Sequence, residues 1–276
     1  LHSFDKHFCS ENTLHKNFIT YATAGDIIYS LCAIKILGGG NLYLKLGYLD
    51  EFCRNVLGWW NQPNTGRITE KDFQNIKPLL NSQNYLHSVD IHNNQTIDYD
   101  LAAENWKFIL PAGWQGNQTQ AYALGLGWDM SDMRLQSKLL REPWLTPVDA
   151  TVIPNKPFVI NRTPRHRDNS STQKWVDFIN KGLCEQAVFV GTEKEHQDWQ
   201  IEFNASIDYF PTKDLLHLAQ IIQGCQLFIG NQSAPLALAI GLGKSYWCEG
   251  NQATRTRTTL GGFGDCWFER INGYYF

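Results

Sequence analysis

The sequence predicts an α/β protein, and three observations lead there. An apolar strand, a small-residue turn and a helix of 3.6-residue spacing follow one another in NFITYATAGDIIYSLCAIKILGG. The same succession recurs in the C-terminal part, from Phe158 onward, often enough to build a Rossmann-like domain. Between the two lies a group of prolines, Pro143, Pro147, Pro154 and Pro157, that breaks the periodicity as a linker would. The expected division is therefore residues 1–148 and residues 149–276, with a hinge between Pro143 and Pro157.

In the first part, Phe18 to Tyr21 read as a strand and Ala24-Gly25-Asp26 as the turn, while Ile27, Leu31 and Ile34 form one helical face. Gly38-Gly39-Gly40 ends that helix, and Leu42 to Leu44 begins the next strand. A helix from Ile68 to Leu80 capped by Thr69, a short helix from Asp100 to Phe108, and helical content from Gln118 to Leu126 complete it. In the second part, Phe158 to Ile160, Ala187 to Val190, Leu227 to Ile229 and Ser245 to Cys248 are the strands. Trp175 to Asn180 lie in a helix, Thr212 caps another that carries Leu215, Leu218 and Ile222, and Leu236 to Leu242 form a third.

The chain has 276 residues, 43% of them hydrophobic and 18% charged, enough to bury a sizeable core. Its formal charge of −3 gives no overall electrostatic footprint for nucleic acid or anionic membrane. The seven cysteines are scattered without a CxxC pair, which suits a reducing compartment. No stretch has the apolar length of a spanning helix or signal core, so a cytoplasmic location is expected.

The turn GNQSAP is the most informative feature. In an open parallel sheet, ligands bind where strands end and helix N-termini offer unpaired N–H groups. Here a strand reaches Gly230, and Asn231, Gln232, Ser233 and Ala234 follow before Pro235, a residue suited to a first helical turn. The turn can receive a diphosphate, and Asn231 and Ser233 equally suit simple capping. Arg162, Arg165, His166 and Arg167 follow another strand of the same sheet and are phosphate candidates as well as surface-loop candidates. Gly191 and Glu193 end a third strand, where the acid can hold a ribose or merely open a helix. Asp26, directly after Gly25, is either a helix cap or a general base. The histidines show no metal-ligand spacing and no metal site is expected.

Taken together, AGDIIYSLCAIKIL, VFVGTEKEH and FIGNQSAPLALAIGLGKSYW resemble, in order and separation, the motifs of heptosyltransferase-like (family 9) glycosyltransferases. The resemblance implies two Rossmann-like domains facing across a cleft (a GT-B-like fold), a nucleotide-sugar donor, no cofactor or metal, and inversion at the anomeric carbon. It gives Asp26 the role of base, beside Gly25 on the acceptor side. Donor contacts fall to Arg162, Arg165, Arg167, Gly191, Glu193 and the turn Asn231, Gln232, Ser233, Ala234 and Pro235. Asp98-Tyr99-Asp100 has the DxD form that holds a metal in another glycosyltransferase class, but no strand is expected before it. Gln232, Ala234, Ala237 and Ser245 depart from the residues usual in the family, which bears on the sugar and acceptor more than on the fold. Three other readings keep a related architecture: transfer to a hydroxylated DNA base or a protein, nucleotide-sugar binding without turnover, and a nucleotide-sugar epimerase.

Overall fold

The computed structural model describes residues 15–48, 68–101, 118–164, 167 and 172–249. These form two separate sheets. The first contains β1 (Lys16–Thr20), β2 (Gly40–Leu44), β3 (Leu86–Ile91) and β4 (Tyr99–Asp100) in the order β3-β2-β1-β4, every pair parallel. The second contains β5 (Phe158–Asn161), β6 (Ala187–Phe189), β7 (Asp208–Tyr209), β8 (Leu227–Asn231) and β9 (Tyr246–Glu249) in the order β7-β6-β5-β8-β9, again all parallel. Both orders reverse direction beside their first strand. The switch points, β1/β4 and β5/β8, are where an open α/β sheet leaves a crevice at its carboxyl edge.

The helices described are α1 (Ala24–Ile36), α2 (Glu70–Asn81), α3 (Gln118–Gly125), α4 (Met133–Arg141), α5 (Thr172–Asn180), α6 (Glu193–Phe203), α7 (Leu215–Gly224) and α8 (Ala234–Gly241). Strand periodicity then settles the layers. Alternate residues of β5 and β8 point to opposite faces, so Val159 and Phe228 go one way and Phe158, Ile160, Leu227 and Ile229 the other. The outer face packs under α5 and α6 with Trp175, Trp199 and Trp247. On the inner face, residues of α7 and α8 join α1, α2, β2 and β3 in one cluster that runs through both halves.

The proline segment is not a free hinge. Trp144 and Leu145 are buried in that shared cluster, and their backbone N–H groups both donate to the carbonyl of Gly241 at the end of α8. The Trp144 indole N–H donates to the Ile28 carbonyl of α1 at 2.9 Å. The crossing segment thus ties α1 to α8, because an apolar Trp-Leu pair between two prolines has a core to enter.

Other expectations shift locally. Thr69 does cap α2, in a reciprocal capping box with Asp72. Thr212 does not cap α7; Asp214 does, accepting from the His217 N–H. Asp100 ends β4, Leu101 directly after it is already helical, and the rest of the helix expected from Asp100 to Phe108 lies outside the described residues. Asp98 accepts from the Asn17 N–H, and among the described residues no His, Cys, Asp or Glu cluster could hold a metal ion. No described helix is long and apolar enough to cross a membrane.

Burial pushes the thiols of Cys32, on α1, and Cys225, after α7, up to about 12. The same cause raises the phenols of Tyr29 and Tyr85. The folded state therefore keeps protons that the unfolded chain releases from about pH 9 upward. Stability is expected to be level below that point and to fall steadily toward about pH 12. Urea unfolding measured across this window checks the slope; a level or rising profile contradicts it.

Candidate active site

The sequence leaves α1 and α8 each starting just after a central strand, and the fold brings those two starts together. A Cβ on Gly25 would sit 3.5 Å from the Ala234 nitrogen and 3.8 Å from the Ser233 carbonyl carbon. Both distances are ordinary contact, so the first turn of one helix rests on the first turn of the other and only a small residue fits between. The carboxyl edges of the two sheets meet at this point. Two helix N-termini, each with partial positive charge, converge there.

Asp26 lies in the first turn of α1, yet it is not the cap. Thr23 holds the cap position without a side-chain cap bond, and Asp26 follows three residues later. Its carboxylate accepts from Thr23 Oγ1 at Oδ2 and from Gln118 Nε2 at Oδ1, each at 2.7 Å. The Tyr122 hydroxyl donates to the Asp26 carbonyl at 2.9 Å. Asp26 is half-buried, and the residue before it, Gly25, is the one that meets the turn of the opposite half.

On the opposite side, Ser233 occupies the cap position of α8 but its side chain makes no cap bond. Its hydroxyl turns back to the Asn231 carbonyl at 2.9 Å and toward Asn161 Oδ1 at 3.4 Å. The first-turn N–H groups of α8, including that of Ala234, are thus not taken by Ser233; Pro235 has none to offer. Gln232 Oε1 is buried in the same turn without a hydrogen-bond partner among the described residues. A bound molecule with a hydroxyl would satisfy it. The Asn231 side-chain amide accepts from the Thr163 N–H and donates to the Thr163 carbonyl, clipping the end of β8 to the chain leaving β5.

The arginines behave differently from the sequence expectation. Arg162 is 1% exposed and forms a bidentate pair with Glu249, Nε to Oε2 at 2.5 Å and Nη2 to Oε1 at 2.9 Å. Its Nη1 binds Glu202 at 2.6 Å, and Trp175 donates to the same Glu249. Burial opposes the charge, but the bonds from Glu249 and Glu202 prevail and hold the guanidinium above its usual pKa. Three of the five N–H donors of Arg162 are thus engaged by Glu249 and Glu202, in a side chain that is almost wholly buried. Arg167 also binds Glu202, at 2.8 Å, and the Thr163 carbonyl. Arg165 lies outside the described residues.

Gly191 has φ +130, and a Cβ there would meet Asn161 Nδ2 at 2.6 Å and Glu195 Oε2 at 2.8 Å. Glycine is needed for this backbone and for the close approach. Glu193 opens α6 and is exposed, while Glu195 makes the capping box with Thr192. Two cavities occur elsewhere, of about 220 Å³ near Cys32 and Trp144 and about 560 Å³ near Lys156 and Asp208. Neither reaches a strand switch point or gathers the groups just described, so the junction of α1 and α8 is the better site.

Sequence reasoning found Asp26 and the turn but missed Gln118, Thr23 and Tyr122. Thr23 was findable, since a threonine three residues before an acid is a helix-start signal. Gln118 and Tyr122 approach from a distant helix, and nothing local in the sequence marks them.

No protein-family model matches the chain, and no match is found among curated proteins. Solved structures do resemble it. A Veillonella parvula glycosyl transferase of family 9 aligns over 93% of this chain and 88% of its own at 13% identity, with a TM-score of 0.50. The E. coli heptosyltransferase WaaC with ADP aligns over 90% and 92% at 10% identity, TM-score 0.51. The E. coli ADP-heptose lps heptosyltransferase II aligns over 91% and 89% at 14% identity, TM-score 0.50. Alignments of this breadth, made at these identities, establish architecture: the chain has the two-sheet, GT-B-like α/β fold of family 9 and heptosyltransferase structures.

Proposed function

We propose that this chain is a glycosyltransferase that moves a sugar from a nucleotide-diphosphate sugar to a hydroxyl acceptor, with inversion and without a metal. Residues 1–148 form the acceptor side and residues 149–276 the donor side. The observation that carries the reading is the junction itself, where the first turn of α1, which bears the half-buried Asp26, packs on a helix start of the other half that has no side-chain cap.

The chemistry follows from that pairing. The acceptor oxygen attacks the anomeric carbon while its proton passes to the Asp26 carboxylate. The bond from that carbon to the diphosphate oxygen breaks, and its electron pair leaves with the diphosphate. Charge therefore grows on the phosphate as the reaction proceeds, and a helix N-terminus aimed at it stabilises the transition state more than the ground state. With Arg162 and Arg167 already paired, the backbone of α8 is the main described source of that stabilisation. The Gln232 amide oxygen is left to accept from a donor hydroxyl.

The names of two structural neighbours contain ADP or ADP-heptose, which makes adenine nucleotides the first probes. A nucleotide at a hundred times its Kd stabilises the native state by about 2.7 kcal/mol. In a chain of this size that is a melting shift of roughly 5–10 °C. ADP, UDP, GDP and CDP are to be compared by thermal shift, and one of them should give such a shift. Ser233→Trp, which fills the turn, should abolish it while the ligand-free melting point stays close to the parent's. No shift with any of the four removes the donor reading.

A further inference from the structure

The Asp26 carboxylate is held from a distance. Gln118 begins α3 and is 6% exposed, and it reaches across 92 positions of sequence to donate its amide N–H to Asp26 Oδ1 at 2.7 Å. One turn along the same helix face, Tyr122 donates to the Asp26 backbone carbonyl at 2.9 Å. Helix α3 thus grips both the main chain and the side chain of one residue. Thr23 holds the other carboxylate oxygen from within α1's own first turn. A half-buried acid with both oxygens engaged by neutral donors has a fixed plane.

We propose that Gln118 is a positioning residue, one that sets the plane of the Asp26 carboxylate toward the first turn of α8; the proposal rests on the reading of Asp26 as the base. The Thr23 bond restrains one oxygen from within the same turn, so it moves with that turn. The second contact, from a different helix, removes that freedom. A misplacement of about 1 Å at a reacting group is enough to cost on the order of 10²-fold in rate.

The test uses Gln118→Leu, which keeps the volume and removes the donor, alongside Asp26→Asn and the double variant. Crystal structures of the parent and Gln118→Leu are compared, and ADP release from ADP-heptose is followed in the full chain. Gln118→Leu should lower kcat by about 10- to 100-fold with KM for ADP-heptose little changed. The double variant should be no slower than Asp26→Asn alone, because a residue acting only through Asp26 has nothing left to position. In the crystal, the Asp26 carboxylate should be rotated or split between rotamers. Parent-level turnover in Gln118→Leu overturns the proposal, as does a rate loss that multiplies with that of Asp26→Asn, or an unmoved carboxylate. Asp26→Asn turning over at the parent rate sinks the base reading instead, and so removes the role proposed for Gln118 while leaving its hydrogen bond in place. If the parent releases no ADP, the ADP-heptose donor reading fails, and the rotamer comparison alone decides the hold of Gln118 on the carboxylate.

Discussion

Asp26→Asn is expected to cut sugar transfer by ~10²-fold or more while the protein remains folded. The geometry says why the fold should tolerate it. Gln118 can still donate to the asparagine carbonyl, and the Thr23 hydroxyl, now a donor to Asp26, can turn and accept from the new amide. Neither partner is left buried and unmatched, so the cost in stability should stay within about 1 kcal/mol. Capping is not at risk, since Thr23 holds the cap position. What the variant lacks is a group that can take the acceptor's proton. The check is a pair of measurements on one preparation: the melting transition, and release of nucleotide diphosphate in the presence of donor and acceptor. A stable protein with full turnover places the base elsewhere.

The second large effect is on stability. Glu249→Ala is expected to destabilise the chain by ~3–5 kcal/mol, the range for removing one partner of a buried ion pair. Melting should fall by on the order of 10 °C. Arg162 would keep Glu202 but lose its bidentate partner, and Trp175 would lose its acceptor. The fully apolar replacement, Arg162→Met with Glu249→Leu, should cost less than Glu249→Ala alone, because no uncompensated charge is then buried. If instead the double variant is the worse of the two, the pair contributes more than its desolvation consumes. Neither change should alter nucleotide affinity by much, which separates this pair from a phosphate site.

These two residues also show where the sequence was legible. The central strands and the helices that follow them are apolar runs with turn residues at both ends, and they fall within a few positions of their expected bounds. Of the four edge strands β9 was read, while β3, β4 and β7 were not. β3 is LHSVDI, half of it polar and without a continuous apolar run because it lies at an edge with little to bury, and β7 has only two residues. Asp26 and the turn before α8 were visible as candidates because each sits between a strand and its helix, where the local pattern is plain. Arg162 is the opposite case. A basic residue at a strand's end looks like a phosphate ligand until Glu249 is seen at the end of β9, on the far side of β8. Gln118 is the converse case, a functional candidate whose only credential is a contact made by tertiary folding. The tryptophans Trp59, Trp60, Trp106 and Trp114 lie outside the described residues, and Trp128 packs against the core.

The clasp formed by Trp144 and Leu145 bears on how the molecule can move. Two facing domains ordinarily admit a ligand by swinging apart about a linker. Here the linker is wedged between α1 and α8, and separating the halves would wet the shared core at a cost of about 25 cal/mol for each Å² of apolar surface. Sliding is cheaper than swinging. Packed helices can shift past one another by about 1–2 Å while keeping their side chains interleaved. Such a slide, along the contact where Gly25 meets Ala234, would change the distance between the proposed base and the proposed donor turn directly. The junction that defines the site would then also be its adjustment, a shear whose small amplitude sets how closely the acceptor and the departing phosphate are brought together.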